Sequence, residues 1–464
     1  MVNIYSMRSL LSIVLISVAF LACSKSEEGG GMYLIPFPDE KGLEKLQYVN
    51  LPTLDDHTKM QGKVAQIYVS PYINGNQLEL KAPTAKIAEV KKGYYIPQDT
   101  LSQEMLSVYA HIERLKILEE AVGLEGILNY PRKIGVASRV KSNVNSSKLE
   151  IDNASYLPLH DFILFYPFSS GQNLAMSLNG GIIAHEHFHA LFYKLIEVEL
   201  EQRGTILYNR KILPKDEKKK LNDQRRDIYV TENNNKFILR ALNEGLADLW
   251  AVIYSNDSRF LTKSKRTYRN YNMPLELYKL NNFVPDWSLS SEYKDTAPAA
   301  YYLGFRIANV LQNKMQKDLG ANPNAAFTNS FKVQEATYVV DKLYALKNML
   351  IEKYEEGIEV EDILAVIYAG KKDIDDCQNI IKLAREDNIM VKACLEDYKD
   401  LDSSGNIKQK EVESNAEETI KSHSNAINDV DNKKQSAKAQ QKLYFLKKSE
   451  NIESSESEES EANK

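Results

Sequence analysis

Apolar and polar positions recur at two different periods along this chain, and the change of period divides it. From about Met32 to Pro97 the alternation is short. KVAQIYVSPY and QLELKA lie either side of Ile73-Asn74-Gly75-Asn76, a hairpin signal, and Lys91 to Ile96 reads as another short strand. At Thr100 the period lengthens: Leu101, Met105, Val108, Ile112, Leu115 and Val122 recur at helical spacing before Gly123. Thr100-Leu101-Ser102-Gln103 in front of them reads as a capping box. Strand patterns return at 133–140 (KIGVASRV) and 161–168 (DFILFYPF). A strongly apolar helix then starts at Asn179, a good N-cap, and is expected to run to Gly204, a good C′ residue.

Residues 205–235 are rich in Lys, Asp, Asn and Arg and lack an apolar face, which predicts a solvated insertion or lid. A second helix follows in RALNEGLADLWAVIY, from Arg240 to Tyr254. After a loop-like stretch at 255–297, helical patterns cover Ala299 to Leu311, 331–355, 359–370 and 373–398. The Ser-, Glu- and Lys-rich end, 401–464, has the composition of a disordered tail, with KLYFLKK (442–448) as a short contact motif within it. The expected division is therefore a β-rich N-terminal region (33–98), a segment carrying the chemistry (99–255), a helical segment (256–400) and the tail.

Composition narrows the picture. A net charge of −5 and the absence of a basic face argue against nucleic acid as a partner. Arg8 and the apolar run from Leu10 to Leu21 form an export signal too short to span a membrane comfortably. Phe20-Leu21-Ala22-Cys23 resembles a bacterial lipoprotein signal, although Phe20 stands where that pattern prefers Leu. The resemblance implies cleavage after residue 22, lipid on Cys23, a tether over 23–32, and a membrane surface as one partner. The alternative is an ordinary secretory signal. Cys377 and Cys394 are left either to pair across a helical hairpin or to remain buried thiols.

The chemistry begins at His185-Glu186-His187-Phe188-His189. On a helix, His185 and His189 lie one above the other and offer two imidazoles to one metal, with Glu186 beside them to handle water. Glu244 and Asp248 are also four apart on a helical pattern. A catalytic zinc takes three protein ligands and keeps a fourth position open. Glu244 would complete the set, and Asp248 would accept the second ring N–H of a ligand histidine. His187 points roughly 200° round the helix from His185 and reads as a packing residue, as does His111; His160 reads as a surface residue.

With both motifs on the page, H-E-x-x-H followed by Asn243-Glu244-Gly245-Leu246-Ala247-Asp248, the chain resembles the gluzincin metallopeptidases, especially the thermolysin-like group. The metzincin pattern is absent, because Phe192 and Leu195 stand where that family has Gly and His. The resemblance covers about residues 100–400 and implies a zincin-like catalytic domain with an edge-stranded sheet and a helical C-terminal subdomain; with the small β-rich N-terminal region read from the strand pattern, the expected fold is α+β. It implies one zinc ion, a peptide or protein substrate, and Glu186 as the general base. Asn153-Ala154 resembles a substrate-binding pair on the edge strand, where β-augmentation would hold an extended peptide; a polar turn is the alternative. The family's downstream oxyanion-binding His has no counterpart, since His423 lies in the tail. Some gluzincins use a Tyr; Tyr301 is the candidate, Tyr302 the second choice, and Tyr208 and Tyr229 the fallbacks. A non-catalytic binding or assembly module on the same fold is the rival reading.

Overall fold

The computed structural model describes residues 30–39, 44–74, 77–141, 148–169, 174–203, 223–264, 279–285, 297–320, 329–370 and 372–407. The export signal, Cys23, most of the tether, Tyr208, Gly204 and nearly all of the tail lie outside them.

The protein is mixed α+β. Its largest sheet has six strands, in the order β12 (Ala154–Leu157), β13 (Phe162–Phe165), β10 (Arg132–Val136), β5 (Ala65–Val69), β4 (Gln61–Gly62) and β3 (Leu54–Asp56). Strand β13, next to the edge, is a short apolar run buried along its whole length, as expected of a strand covered on both faces. β10 pairs parallel with β13 on one side and β5 on the other, and β12 closes the sheet as an antiparallel edge. Leu54 to Val69 thus belongs to the same sheet as β10 and β13. The sheet draws strands from both sides of the expected boundary after residue 98. The N-terminal region also builds a four-stranded sheet from β1 (Gly31–Pro38), β2 (Glu44–Leu51), β8 (Ile87–Lys91) and β9 (Tyr94–Pro97), so two residues assigned to the tether begin β1. A three-stranded sheet joins β6 (Tyr72–Asn74), β7 (Gln77–Glu79) and β11 (Arg139–Val140). In it β6 and β7 form the expected hairpin.

Helix α1 (Thr100–Ala121) lies between the sheets and the helical part. It is capped by Asp99, whose carboxylate accepts from Ser102 N at 2.8 Å, and not by the box expected at Thr100. The motif helix α2 (Gly180–Phe192) continues without a break through a π turn, Tyr193–Glu197, into α3 (Val198–Gln202). Helix α4 (Asp223–Ser255) is 33 residues long. Its first turns take up 223–235, so the polar insertion ends before the predicted point. Asn234 and Asn235 donate to the carbonyls of Ile358 and Tyr354 at 2.7 and 2.6 Å, which explains polar residues on a packed helix.

Then come α5 (Ala297–Asp318), α6 (Asn329–Lys353), α7 (Val360–Ile367), α8 (Ile374–Leu383) and α9 (Ile389–Asp397). The pattern read as one stretch at 373–398 is the hairpin α8–α9, closed by a Cys377–Cys394 disulfide. The described residues up to Asn406 form one compact unit.

Candidate metal centre

Helices α2 and α4 pack face to face and bring the two motifs together. Asn179 fixes the start of α2: its Oδ1 accepts from Gly181 N and Ile182 N, while its amide donates to Phe260 O and Ser264 Oγ. Helix α5 crosses α4 at a pair of glycines. A Cβ on Gly245 would stand 2.1 Å from Gly304 O, and one on Gly304 would stand 2.2 Å from Ala241 O. Only bare backbone permits that approach, which carries Tyr301 up to Glu244.

Three ligand atoms, from His185, His189 and Glu244, lie within 4.8 Å of one another. The Nε2 atoms of the two histidines are 3.0 Å apart, and Glu244 Oε2 is 3.6 Å from the first and 4.0 Å from the second. Each ring is held from behind: His185 Nδ1 is 2.8 Å from Asp248 Oδ1, and His189 Nδ1 is 2.7 Å from Asn243 Oδ1. The Asn243 bond engages Nδ1 of His189, and the Asp248 carboxylate stands at ion-pair distance from Nδ1 of His185, which leaves both Nε2 atoms turned toward each other and toward Glu244. Two tetrahedral zinc ligands at ~2.0–2.1 Å from the ion stand ~3.3 Å apart, so the donor set and its spacing suit that ion. Without a metal, burial opposes charge on His185, but Asp248 and then Glu244 outweigh it and raise its pKa to about 10. Proton and dication therefore compete for this ring.

Glu186 is buried on the same helix. Burial, with Glu244 adding to it, pushes its carboxyl above the usual range, while His189 and His185 pull the other way. The backbone N–H of Tyr156 on β12 also favours its charged form. Its Oε2 is buried with no hydrogen-bond partner among the described residues.

These groups line a cleft of about 320 Å³. Asn153 and Ala154 lie on its wall with Ser155 and Tyr156, at the start of the edge strand, and Asn153 O accepts from Tyr166 N at 2.9 Å. Tyr301 also lines the cleft. Its hydroxyl bonds Glu244 and Arg240, and burial followed by the Glu244 charge raises its pKa to about 12. The Arg240 guanidinium carbon stands 5.4 Å from the centre of its ring. Tyr302 instead accepts from Arg306 and packs against Phe283, outside the cleft lining. Tyr229 is buried elsewhere on α4.

The structure thus gathers His185, Glu186, His189, Glu244, Asp248, Asn153, Ala154 and Tyr301, and leaves Tyr302 and Tyr229 aside. His187 and His111 are both fully buried: the first pairs with Glu119 of α1, and the second is 2.7 Å from the Tyr254 hydroxyl. His160 is half-buried on the turn Pro158–His160. Sequence reasoning missed the bond that Asn243 makes to His189, although Asn243 stood inside the recognised motif. It also missed Tyr193 and Glu197 in the cleft, which follow His189 at steps of four residues. Comparison with protein-family models and with curated proteins returns no match.

Proposed function

We propose that this chain is a zinc-dependent peptidase of the gluzincin type on a zincin-like fold, exported and held at a membrane surface by lipid on Cys23. The observation that carries the reading is the convergence of His185 Nε2, His189 Nε2 and Glu244 Oε2, with Asp248 and Asn243 behind the two imidazoles, beside a Glu186 oxygen that has no hydrogen-bond partner among the described residues. His185, His189 and Glu244 would hold the ion. When bound it supplies Lewis acidity toward water and the scissile carbonyl.

The chain's own groups do the rest. The edge strand, with Asn153 and Ala154, holds an extended peptide by main-chain hydrogen bonds. Glu186 takes the proton from the attacking water and delivers it to the leaving amine. Tyr301 donates its O–H to the oxygen on which charge develops; its bond to Glu244 keeps it at the site before substrate arrives.

A broad peptide library incubated with zinc-loaded protein tests this. Hydrolysis should stop on chelation and return with zinc, and Glu186→Gln should lower turnover by about 10²–10⁴-fold with zinc retained. Equal turnover by wild type and variant would reject the mechanism, and zinc binding with no hydrolysis would favour the binding-module reading.

A further inference from the structure

Glu197 lies in the cleft and has no part in that reaction. It ends the π turn that extends α2, where His185, His189, Tyr193 and Glu197 follow at steps of four residues and all four line the cleft. In a straight α-helix each step of four turns the side chain by a further ~40°, so the fourth residue would have drifted ~120° from the first. The wider π turn takes up this drift and brings a carboxylate onto the face that carries the two histidines. Such single π turns are frequent at functional sites. Glu197 is 8% exposed, and its Oε1 accepts from Asn243 Nδ2 at 3.4 Å.

The order of residues along α2 gives the cleft a direction. Ile182 lies before His185 and is joined in the lining by Met176 and Leu261, all apolar. Tyr193, Asn243 and Glu197 lie at or beyond His189, toward the other end. No Lys or Arg is among the described lining residues. Apart from Ser264, whose Oγ accepts from Asn179, one end of the cleft is therefore apolar, while the other carries a carboxylate, with His185 and His189 between them.

Resting on the peptidase reading above, we infer that Glu197 is a specificity residue: it selects a substrate with a cationic group on one side of the cut bond and an apolar side chain on the other. A Lys or Arg side chain and a free N-terminal amine share that chemistry. An amine would make the enzyme trim chain ends; a side chain would let it cut within chains. From His189 to Glu197 is ~12 Å along the helix, and an extended peptide advances ~3.3 Å per residue, so the cation falls within roughly four residues of the cut bond.

The test is equilibrium binding of fluorescent peptides to full-length, zinc-loaded Glu186→Gln protein, in which cleavage is blocked. The peptides carry Lys or its uncharged isostere norleucine at each position in turn, with the N-terminus free or acetylated. The cationic member should bind about tenfold or more tightly, and adding Glu197→Gln, which keeps the acceptor for Asn243, should bring the ratio close to one. Loss of preference on acetylation would identify the amine, and loss on the norleucine change the side chain. Equal binding of the isosteres, a preference that survives Glu197→Gln, or no binding at all would overturn the inference. Should zinc-loaded wild type cleave none of these peptides, the peptidase reading fails while the binding ratio still reports on Glu197.

Discussion

The two faces of α2 each carry a buried histidine paired with a carboxylate, and they differ in everything around that pair. On the back face His187 meets Glu119 of α1, enclosed on all sides. On the front face His185 meets Asp248 of α4, but there the imidazole's second nitrogen faces His189 and Glu244 across a cleft. An imidazole–carboxylate pair by itself only satisfies two polar groups in the core. A site needs the further convergence of donor atoms, with access from solvent.

Four substitutions separate the faces, and the largest effects belong to the front. Tyr301→Phe removes the donor proposed for the developing oxyanion and should lower kcat by about 10²-fold with little change in KM and undiminished zinc. Tyr302→Phe, outside the cleft lining, should leave kcat nearly normal. Equal effects of the two on kcat would mean that the donor lies elsewhere. Asp248→Ala frees the back of the His185 ring and should weaken zinc affinity by about 10–100-fold, measured by competition with a chelator of known strength. Unchanged affinity would remove Asp248 from the ligand's support. His187→Ala tests the other face. It takes the His187 bond from one oxygen of buried Glu119 while Tyr130 still donates to the other, which should cost about 1–3 kcal/mol of stability by denaturant titration. Zinc stoichiometry of the folded protein should not change. If this variant loses zinc as Asp248→Ala does, the two faces are not separable.

How far the site was legible follows from the range of each interaction. His185 and His189, and again Glu244 and Asp248, are spaced by local helix geometry, so sequence alone placed each pair on one face. The cleft position of Glu197 depends on a π turn, and nothing in Tyr193 to Glu197 marks where a helix will widen. The polar run before Glu244 read as solvated up to residue 235. The reason it is not is tertiary: Asn234 and Asn235 meet carbonyls of Ile358 and Tyr354, more than a hundred residues away. Sheet membership failed for a similar reason. Strand patterns at 63–72 and 133–140 were readable, but their parallel pairing joins segments separated by helix α1. The disulfide could not be chosen over free thiols until two short helices were seen to bring Cys377 and Cys394 together.

The central claim is that one zinc is held on the front face by three residues from two helices. Metal analysis of purified wild type and Glu244→Ala, at low free zinc and with the fold of each checked by circular dichroism, tests it most directly. The account predicts one zinc per wild-type chain and a sharp loss from the variant, because an anionic ligand is gone while both histidines remain. A folded Glu244→Ala protein that retains a full equivalent of zinc would contradict it.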